Sequence, residues 1–268
     1  MPAVKVLYSD LDGTLLGPGG SLFTLPEGRS TSAAMEALLA LHEAGIDLVL
    51  VSGRTQEQMS ELARAISAAG YIAEMGALVV DRNVFPEQTH ANFGAFVGSG
   101  TPFDAMVRSG AGAFLLDRYP HALEPHTPWS SHPRKATMLF RGQLDVEETQ
   151  AALSEAGYTW LELTDNGVIP RRFEGLEVDE VHAYHLVPKG VGKAAGVRRH
   201  LDLAQIASSE AAAIGDSLSD LEMASEVGRM FVTANGRTAV GEELPGNAGF
   251  TRGTHGEGFA QAVAELLG

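Results

Sequence analysis

Two aspartates separated by one residue follow the first apolar run of the chain. The segment 10–14 reads DLDGT and comes directly after Val4–Tyr8 and one serine. In an extended strand, positions two apart face the same side, so the carboxylates of Asp10 and Asp12 point toward one site. Close carboxylates repel each other unless a cation lies between them, and Mg²⁺ prefers oxygen ligands. An Asp-rich surface turn would contain the same residues, so this segment alone supports both interpretations.

A second polar segment, SGRT at 52–55, follows the apolar run Asp47–Val51 and opens a helical pattern. The hydroxyl of Ser52 and backbone N–H groups at a helix start can bind an anion. Ser and Thr are also common helix caps, so a purely structural role is an alternative. We predict that Thr55 and Gln58 form a capping box here.

A third segment, GDSLSD at 215–220, places Asp216 and Asp220 four residues apart after another short apolar run. These carboxylates could join a cation site. Acidic residues at a helix start also complement the helix dipole, which is an alternative explanation. We predict that Ser219 and Glu222 cap this helix.

A lysine near these carboxylates would balance the charge of a phosphoryl group. The segment PKGVGK at 188–193 offers two candidates. Lys193 starts an apolar stripe that Val197 and Leu201 continue, whereas Lys189 lies in the Gly-rich approach to the helix. We favour Lys193, although either lysine could be a solvated surface charge.

Composition excludes several classes of protein. The chain has 268 residues, 44% of them hydrophobic and 20% charged, which is ordinary for a globular protein. It has no Cys, so disulfides, Cys nucleophiles and Cys-ligated metals are excluded. A net charge of −15 argues against a nucleic-acid partner. No apolar run approaches the roughly 18 residues of a membrane span. We therefore expect a cytoplasmic protein without a membrane partner.

Short apolar runs alternate with helical patterns at both ends of the chain. This alternation implies parallel pairing and a doubly wound α/β core. Before residue 83 we expect strands at Val4–Tyr8, Asp47–Val51, Tyr71–Glu74 and Leu78–Asp81, and helices at Ser30–Ala44 and from Thr55. After Pro188 we expect helices at Gly192–Leu203, from Ser219 and up to Leu267, and strands at Ala211–Ile214 and Met230–Thr233.

The middle of the chain has a different pattern. Residues 83–133 are rich in Gly, Pro and His and show weak periodicity, and the segments that follow mix strand and helix patterns. We expect strands at Ala136–Phe140, Tyr158–Leu163 and Val181–Leu186, and a helix at Asp145–Ala156. The core is thus expected at residues 1–83 and 187–268, with an inserted α+β domain at 84–186.

Taken in the order Asp-x-Asp, Ser, Lys, Gly-Asp-x-x-x-Asp, these segments resemble the haloacid dehalogenase (HAD) superfamily of phosphotransferases. The resemblance covers residues 4–83 and 187–268, and it includes Asn235 and the segment HGEG at 255–258. It implies a Rossmann-like core.

The position of the insertion indicates which members of the superfamily the chain resembles. Asp12 and Ser52 are 40 residues apart, which leaves no room for a large domain between them, so the insertion falls between Ser52 and Lys193. This placement is similar to the type-2B cap of Cof-like sugar phosphatases, sucrose-phosphatase-like enzymes and mannosyl-3-phosphoglycerate phosphatases. The resemblance therefore implies that residues 84–186 form such a cap.

The resemblance also implies roles for individual residues. Asp10 would be the nucleophile that forms an aspartyl-phosphate. Asp12 would protonate the leaving alkoxide and then activate the hydrolytic water. The residues implied to hold Mg²⁺ are Asp10, Asp12 through its backbone carbonyl, Asp216 and, directly or from behind another ligand, Asp220. Those implied to bind the phosphoryl group are Ser52, Gly53, Lys193 and Asn235.

The chain departs from the family pattern at two places. Many relatives have Asn where this chain has Ser219, and Asn-Gly where it has Met75-Gly76. The first difference could alter contacts behind the metal, and the second could alter the rim that faces the substrate. Neither removes an essential group.

Positive groups in the insertion are candidates for recognising the substrate. A carboxylate or second phosphate could be bound by Arg134, Arg141, Arg171 or Arg172, although each could be a solvated surface charge. The expected activity is hydrolysis of a small phosphorylated sugar, sugar acid or glycosyl-phosphoglycerate. The alternatives are a phosphomannomutase-like phosphotransferase and, less compatible with two intact aspartates, a non-enzymatic sensor of phosphate ligands.

Overall fold

The computed structural model describes residues 3–268 and divides them into two compact units. The larger contains the chain up to Ala91 together with Gly192–Gly268, and the smaller contains Asn92–Val191. The sequence placed these boundaries at 84 and 186. They differ because the strand Gln88–Ala91 pairs with the larger sheet, and because the last strand of the smaller sheet continues to Pro188.

Residues 3–268 contain twelve strands and nine α-helices. The strands are β1 (Val6–Ser9), β2 (Asp47–Val51), β3 (Gly70–Ala73), β4 (Leu78–Asp81), β5 (Gln88–Ala91), β6 (Leu123–Pro125), β7 (Met138–Gly142), β8 (Leu161–Val168), β9 (His182–Pro188), β10 (Ala211–Gly215), β11 (Arg229–Val232) and β12 (Ala248–Phe250). The helices are α1 (Ala33–Ala44), α2 (Gln56–Ala65), α3 (Pro102–Ser109), α4 (Ala111–Arg118), α5 (Val146–Glu155), α6 (Lys193–Ala204), α7 (Leu218–Leu221), α8 (Arg237–Val240) and α9 (His255–Leu267).

The larger unit is built on one eight-stranded sheet in the order β12-β11-β10-β1-β2-β3-β4-β5. The first six strands of this order are parallel, and β4 and β5 pair antiparallel at one edge. The expected doubly wound α/β core is therefore confirmed. The antiparallel edge strand β5 was not expected, because its sequence QTHA has no apolar pattern.

Both faces of this sheet are buried. Val6 and Tyr8 lie two positions apart on β1 and pack with Val197 and Leu201 of α6. Leu7, between them, points to the opposite face and is also buried. Helix α1 contacts β2 and α9. Burial on both faces is typical of parallel sheets joined by helices.

The beginning of α2 is formed by the predicted capping box. The Gln58 N–H donates to Thr55 Oγ1 at 3.4 Å, and the Thr55 N–H donates to Gln58 Oε1 at 3.0 Å. This reciprocal pair satisfies two N–H groups of the first turn, which have no partner within the helix. The helix therefore begins directly after the polar segment that ends β2.

The smaller unit has a four-stranded antiparallel sheet in the order β6-β7-β9-β8. Its apolar core includes Leu115 of α4, Leu153 of α5, Phe140 of β7 and Tyr184 of β9, so helices pack on one face of the sheet. An inserted α+β unit is thus present, as expected. Among residues 3–268, no helix is long and apolar enough to span a bilayer.

Helices α3 and α4 were missed by the periodicity analysis, although local signals mark α3. Thr101 Oγ1 accepts a hydrogen bond from the Asp104 N–H at 3.2 Å, and Pro102 occupies the first turn. Gly110, at φ +76°, ends the helix in the left-handed conformation. This combination of an N-cap threonine, an early proline and a C-terminal glycine is typical of a short helix.

The segment TDNG at residues 164–167 has the composition of a turn but does not form a hairpin turn. These residues belong to β8, which pairs with β9 through an irregularity between Asp165 and Val168. Asp165 Oδ1 accepts a hydrogen bond from the Gly167 N–H at 2.8 Å. The turn-forming side chain therefore makes its local contact within a β-bulge rather than at a chain reversal.

Candidate active site

Three of the predicted site residues follow three neighbouring parallel strands. Asp10 follows β1, Ser52 follows β2, and Asp216 follows β10. Strand β1 lies between the other two, with Ser9 opposite Leu50 on one side and opposite Ile214 on the other. Since the strands are parallel and in register, their carboxyl ends meet at one edge of the sheet.

Lys193 completes this group from the first residue of α6. Its ammonium donates to Asp10 Oδ1 at 2.9 Å and to Asp220 Oδ1 at 2.6 Å. The side chain is only 1% exposed, so the ammonium is held by carboxylates and not by bulk water. Lys189, the other candidate, belongs to the smaller unit, where its N–H donates to the Trp160 carbonyl.

Asp220 organises the loop after β10. Its Oδ2 accepts hydrogen bonds from the Ser217 hydroxyl at 2.6 Å, the Ser217 N–H at 3.0 Å and the Asp216 N–H at 3.1 Å. The helix cap is thus Ser217 with Asp220, and the predicted cap of Ser219 with Glu222 is wrong. The reason is that α7 begins at Leu218, one residue earlier than expected, which makes Ser217 the N-cap.

Asp216 is held against the loop after β1. Thr14 Oγ1 donates to its Oδ1 at 3.2 Å, and Asn235 Nδ2 donates to its Oδ2 at 3.1 Å. The same Asn235 amide donates to the Gly13 carbonyl at 2.9 Å, and its Oδ1 accepts the His255 N–H at 3.0 Å. Asn235 therefore links three loops, whereas the sequence predicted for it only a role in binding the phosphoryl group.

The position of Gly13 requires a glycine. Its φ is +97°, in the left-handed region that side chains disfavour. A Cβ at this residue would lie 2.2 Å from Asp216 Oδ2. The absence of a side chain thus allows the first loop to approach the carboxylate that follows β10.

The electrostatics of the cluster favour a divalent cation. Burial, followed by the Asp220 carboxylate, raises the pKa of Asp10 to about 7 against the opposing effect of Lys193. Burial, Asp10 and Asp220 raise the pKa of Asp216 well above its usual range. Burial alone would lower the pKa of Lys193, but Asp10 and Asp220 outweigh it and raise that pKa, so the ammonium stays charged.

The donor set fits Mg²⁺. Oxygen atoms of Asp10, Asp216 and Asp220 lie within 4.8 Å of one another. With all groups ionised, one ammonium leaves an excess of two negative charges among these three carboxylates. Hard oxygen donors with this excess charge match a small divalent cation.

The Asp12 side chain lies outside this three-carboxylate cluster and contacts Arg54 instead. Arg54 Nε donates to Asp12 Oδ2 at 2.8 Å, and Arg54 Nη2 donates to Asp12 Oδ1 at 2.6 Å. The Arg54 N–H also donates to Ser52 Oγ at 3.3 Å. No role was expected for Arg54 from the sequence, although a basic residue two positions after the serine at a strand end was a usable signal.

The arginines expected to recognise the substrate are in different surroundings within the smaller unit. Arg141 Nε donates to Glu124 Oε1 at 2.6 Å, and its guanidinium lies 3.6 Å from the centre of the Phe173 ring. Arg134 is buried and donates to Thr137 Oγ1 at 2.8 Å. The two exposed members of the set are Arg171 and Arg172. The Arg171 guanidinium lies 5.3 Å from the centre of the same Phe173 ring, so Arg141 and Arg171 are neighbours.

Comparison with known proteins gives a family and related enzymes. The family model of haloacid dehalogenase-like hydrolases matches residues 7–91 and 170–246. A phosphoglycolate phosphatase from Metallosphaera sedula is 29% identical over 236 residues, which cover 87% of this chain and 86% of the relative. Another from Methanoculleus marisnigri is 27% identical over 265 residues, which cover 97% and 95%.

Solved structures share the fold at lower identity. A haloalkanoate (HAD) superfamily phosphatase from Bacteroides thetaiotaomicron has a TM-score of 0.66 at 22% identity, over 98% of this chain and 95% of its own. Sucrose-phosphatase from Synechocystis, in complex with sucrose and phosphate, has a TM-score of 0.66 at 14% identity, over 98% of both chains. These similarities extend over the inserted unit as well as the larger one.

Proposed function

Because the chain belongs to the haloacid dehalogenase-like hydrolases, we propose that it is a Mg²⁺-dependent phosphomonoesterase that works through an aspartyl-phosphate. The observation that carries this proposal is the contact of the Lys193 ammonium with Asp10 and Asp220, beside the carboxylate of Asp216. A buried cation next to a candidate nucleophile and two further carboxylates suits transfer of a charged phosphoryl group.

The first step would be attack of an Asp10 carboxylate oxygen on phosphorus. The new bond joins that oxygen to phosphorus while the bond from phosphorus to the ester oxygen breaks. The Asp12 carboxyl group would give its proton to the departing alkoxide. Lys193 would offset the negative charge on the transferred phosphoryl oxygens.

The second step would hydrolyse the aspartyl-phosphate. The Asp12 carboxylate would accept a proton from water as the water oxygen attacks phosphorus, and the Asp10 carboxylate would be released with inorganic phosphate. One residue would thus serve as acid and then as base, which returns the site to its starting protonation state.

The cation would be held by the carboxylates of Asp10 and Asp216 and the backbone carbonyl of Asp12. Bound Mg²⁺ would supply positive charge to the phosphoryl oxygens. One oxygen of Asp220 accepts a hydrogen bond from Lys193, and the other accepts hydrogen bonds from the loop after β10. We therefore propose that Asp220 orients the metal ligands and does not itself bind the cation.

The phosphoryl group would be bound by Ser52, the Gly53 N–H and Lys193. Ser52 is buried at the end of β2, next in the sheet to the strand that carries Asp10. For Asn235, the contacts with Gly13 and Asp216 support a role in holding the loops together.

We propose a small phosphorylated acid as substrate, with 2-phosphoglycolate as the first candidate. The names of the relatives from Metallosphaera sedula and Methanoculleus marisnigri support this choice within the wider class of phosphorylated sugars and sugar acids. The Arg141 guanidinium is bound to Glu124 and the buried Arg134 is bound to Thr137, so recognition of the acid group is assigned to the exposed Arg171 and Arg172.

Release of inorganic phosphate tests the proposal. The purified protein would be incubated with Mg²⁺ and 2-phosphoglycolate, 3-phosphoglycerate, a hexose 6-phosphate, a hexose 1-phosphate and 4-nitrophenyl phosphate. We expect phosphate release by the wild type and none by a folded Asp10→Asn variant. Absence of release from every ester, or full activity of Asp10→Asn, would contradict the proposal. Isomerisation of the hexose 1-phosphate, followed by NMR, would instead favour a phosphotransferase.

A further inference from the structure

Arg54 binds both oxygens of the Asp12 carboxylate in a fork. The two N–H to oxygen contacts measure 2.8 and 2.6 Å. The Asp12 side chain is 57% exposed and that of Arg54 is 28% exposed. Ion pairs that are partly open to solvent usually add only modestly to stability. A two-point contact does, however, fix the orientation of a carboxylate more tightly than a single bond.

The backbone around Arg54 is anchored to the larger sheet. Its N–H donates to Ser52 Oγ, and its carbonyl accepts the Glu74 N–H at 2.9 Å. The Met75 N–H donates to the Ser52 carbonyl at 3.2 Å. The turn after β2 is therefore tied to the turn after β3, and the guanidinium extends from a fixed base.

An unrestrained exposed carboxylate would occupy several rotamers. A general acid, in contrast, must lie within hydrogen-bond reach of the oxygen that it protonates, and loss of that geometry slows the reaction strongly. Asp12 follows the strand that carries Asp10, so its loop fixes the backbone but leaves the side-chain torsions free. The contact with Arg54 supplies the missing restraint.

We propose that Arg54 is the positioning residue of Asp12: the fork fixes the orientation of the ionised carboxylate, and one of its two contacts opens when Asp12 carries the proton for the leaving group. The inference rests on the proposed phosphatase function. It differs from a role in binding phosphate, because the side-chain hydrogen bonds of the guanidinium go to the carboxylate of Asp12, whereas Asp10 acts on it as a nearby charge.

A role in positioning Asp12 can be distinguished from a role in binding phosphate by changing the leaving group of the ester. An alkoxide needs a proton as it departs, whereas 4-nitrophenolate is stable enough to leave with little help. A variant that misplaces the acid should therefore lose activity mainly toward alkyl phosphates. A variant that weakens phosphate binding should lose activity toward both.

The experiment compares wild type with Arg54→Met, which removes the fork, and Arg54→Lys, which keeps the charge but not the two-point contact. The substrates are 4-nitrophenyl phosphate and the alkyl phosphate hydrolysed fastest in the panel above. We expect kcat/KM of Arg54→Met to fall about tenfold or more further for the alkyl ester than for the aryl ester, within the usual range of acid–base effects. The inhibition constant of Arg54→Met for inorganic phosphate should stay within about twofold of the wild-type value. Arg54→Lys should recover little of the activity that Arg54→Met loses toward the alkyl ester.

Two further variants control for folding and coupling. Arg198→Met removes another two-point ion pair, that with Glu226 on the same unit, and should leave both activities unchanged. In an Asp12→Asn background, Arg54→Met should cause almost no further loss on the alkyl ester, because the positioned acid is already gone.

Equal losses on both esters, additive losses with Asp12→Asn, or weakened inhibition by phosphate would overturn the positioning role while the phosphatase proposal stands. A wild-type protein inactive on both esters would refute the proposed function and this inference with it.

Discussion

Nζ of Lys193 donates a hydrogen bond to Oδ1 of Asp10, a residue 183 positions earlier in the chain. The contact closes the larger unit, because Lys193 begins α6 as the chain returns from the insertion and Asp10 follows the central strand β1. The ammonium also reaches Asp220, so one side chain joins two of the polar segments found in the sequence. Lys193 is therefore expected to contribute both to the stability of the larger unit and to the proposed reaction.

Replacement of Lys193 by Met should abolish phosphate release and destabilise the larger unit. The change leaves Asp10 and Asp220 buried without their counter-charge, and breaking a buried ion pair costs about 3–5 kcal/mol. Urea unfolding and phosphate release would be measured together. Lys189→Met is the matched control, and a similar loss in that variant would contradict the assignment.

Replacement of Gly13 by Ala should weaken the binding of Mg²⁺. The new Cβ would meet Asp216 Oδ2 at 2.2 Å, so that carboxylate or the loop must move. Gly19→Ala is a close control, because Gly19 also has a positive φ, of +72°, but a Cβ there meets nothing within 4 Å. Both variants should lose about 1 kcal/mol or more of stability from the left-handed backbone. Titration with Mg²⁺ should show reduced affinity only in Gly13→Ala, and equal affinities would contradict the steric argument.

Mg²⁺ should raise the thermal unfolding midpoint, and removal with EDTA should lower it again. A ligand at 100 times its Kd stabilises a protein by about 2.7 kcal/mol. Asp216→Asn should lose most of this shift, whereas Asp202→Asn, a change at an exposed residue of α6, should keep it. The readout is independent of catalysis. A full shift in Asp216→Asn would place the cation elsewhere.

The sequence was most informative where burial sets the pattern. Apolar runs located β1, β2 and β10 to within about two residues, and the polar segments after them therefore came to one edge of the sheet. The apolar stripe of α6 favoured Lys193 over Lys189, and the structure places Lys193 beside Asp10. Parallel strands constrain their ends so strongly that local sequence suffices for these positions.

Contacts between loops were not predictable in the same way. The fork of Arg54 on Asp12 and the links from Asn235 to Gly13 and Asp216 depend on turns whose conformations are set by distant parts of the chain. Edge strand β5 lacks an apolar pattern because its side chains are mostly exposed. Hydrophobic periodicity indicates which residues are buried. It does not predict the contacts of Arg54 and Asn235, because these depend on hydrogen bonds between loops.

Acid should destabilise the smaller unit through His126. Burial, followed by the guanidinium groups of Arg141 and Arg134, lowers the pKa of this histidine to about 4 against the opposing effect of Glu124. The unfolded chain binds this proton near pH 6.5. Between about pH 6.5 and 4 the unfolded state therefore holds more protons, so stability falls as the pH falls, by at most about 1.4 kcal/mol per pH unit for one group.

His126→Asn should remove this part of the pH dependence. Urea unfolding of both proteins at pH 7.5, 6, 5 and 4.5 would measure it. Above pH 7 the free energies should differ by a constant amount, and below pH 6.5 the variant should lose stability more slowly. His200 of the larger unit, whose pKa burial also lowers, should keep some acid sensitivity in the variant. Parallel curves for the two proteins across the whole range would show that His126 takes up its proton equally in both states.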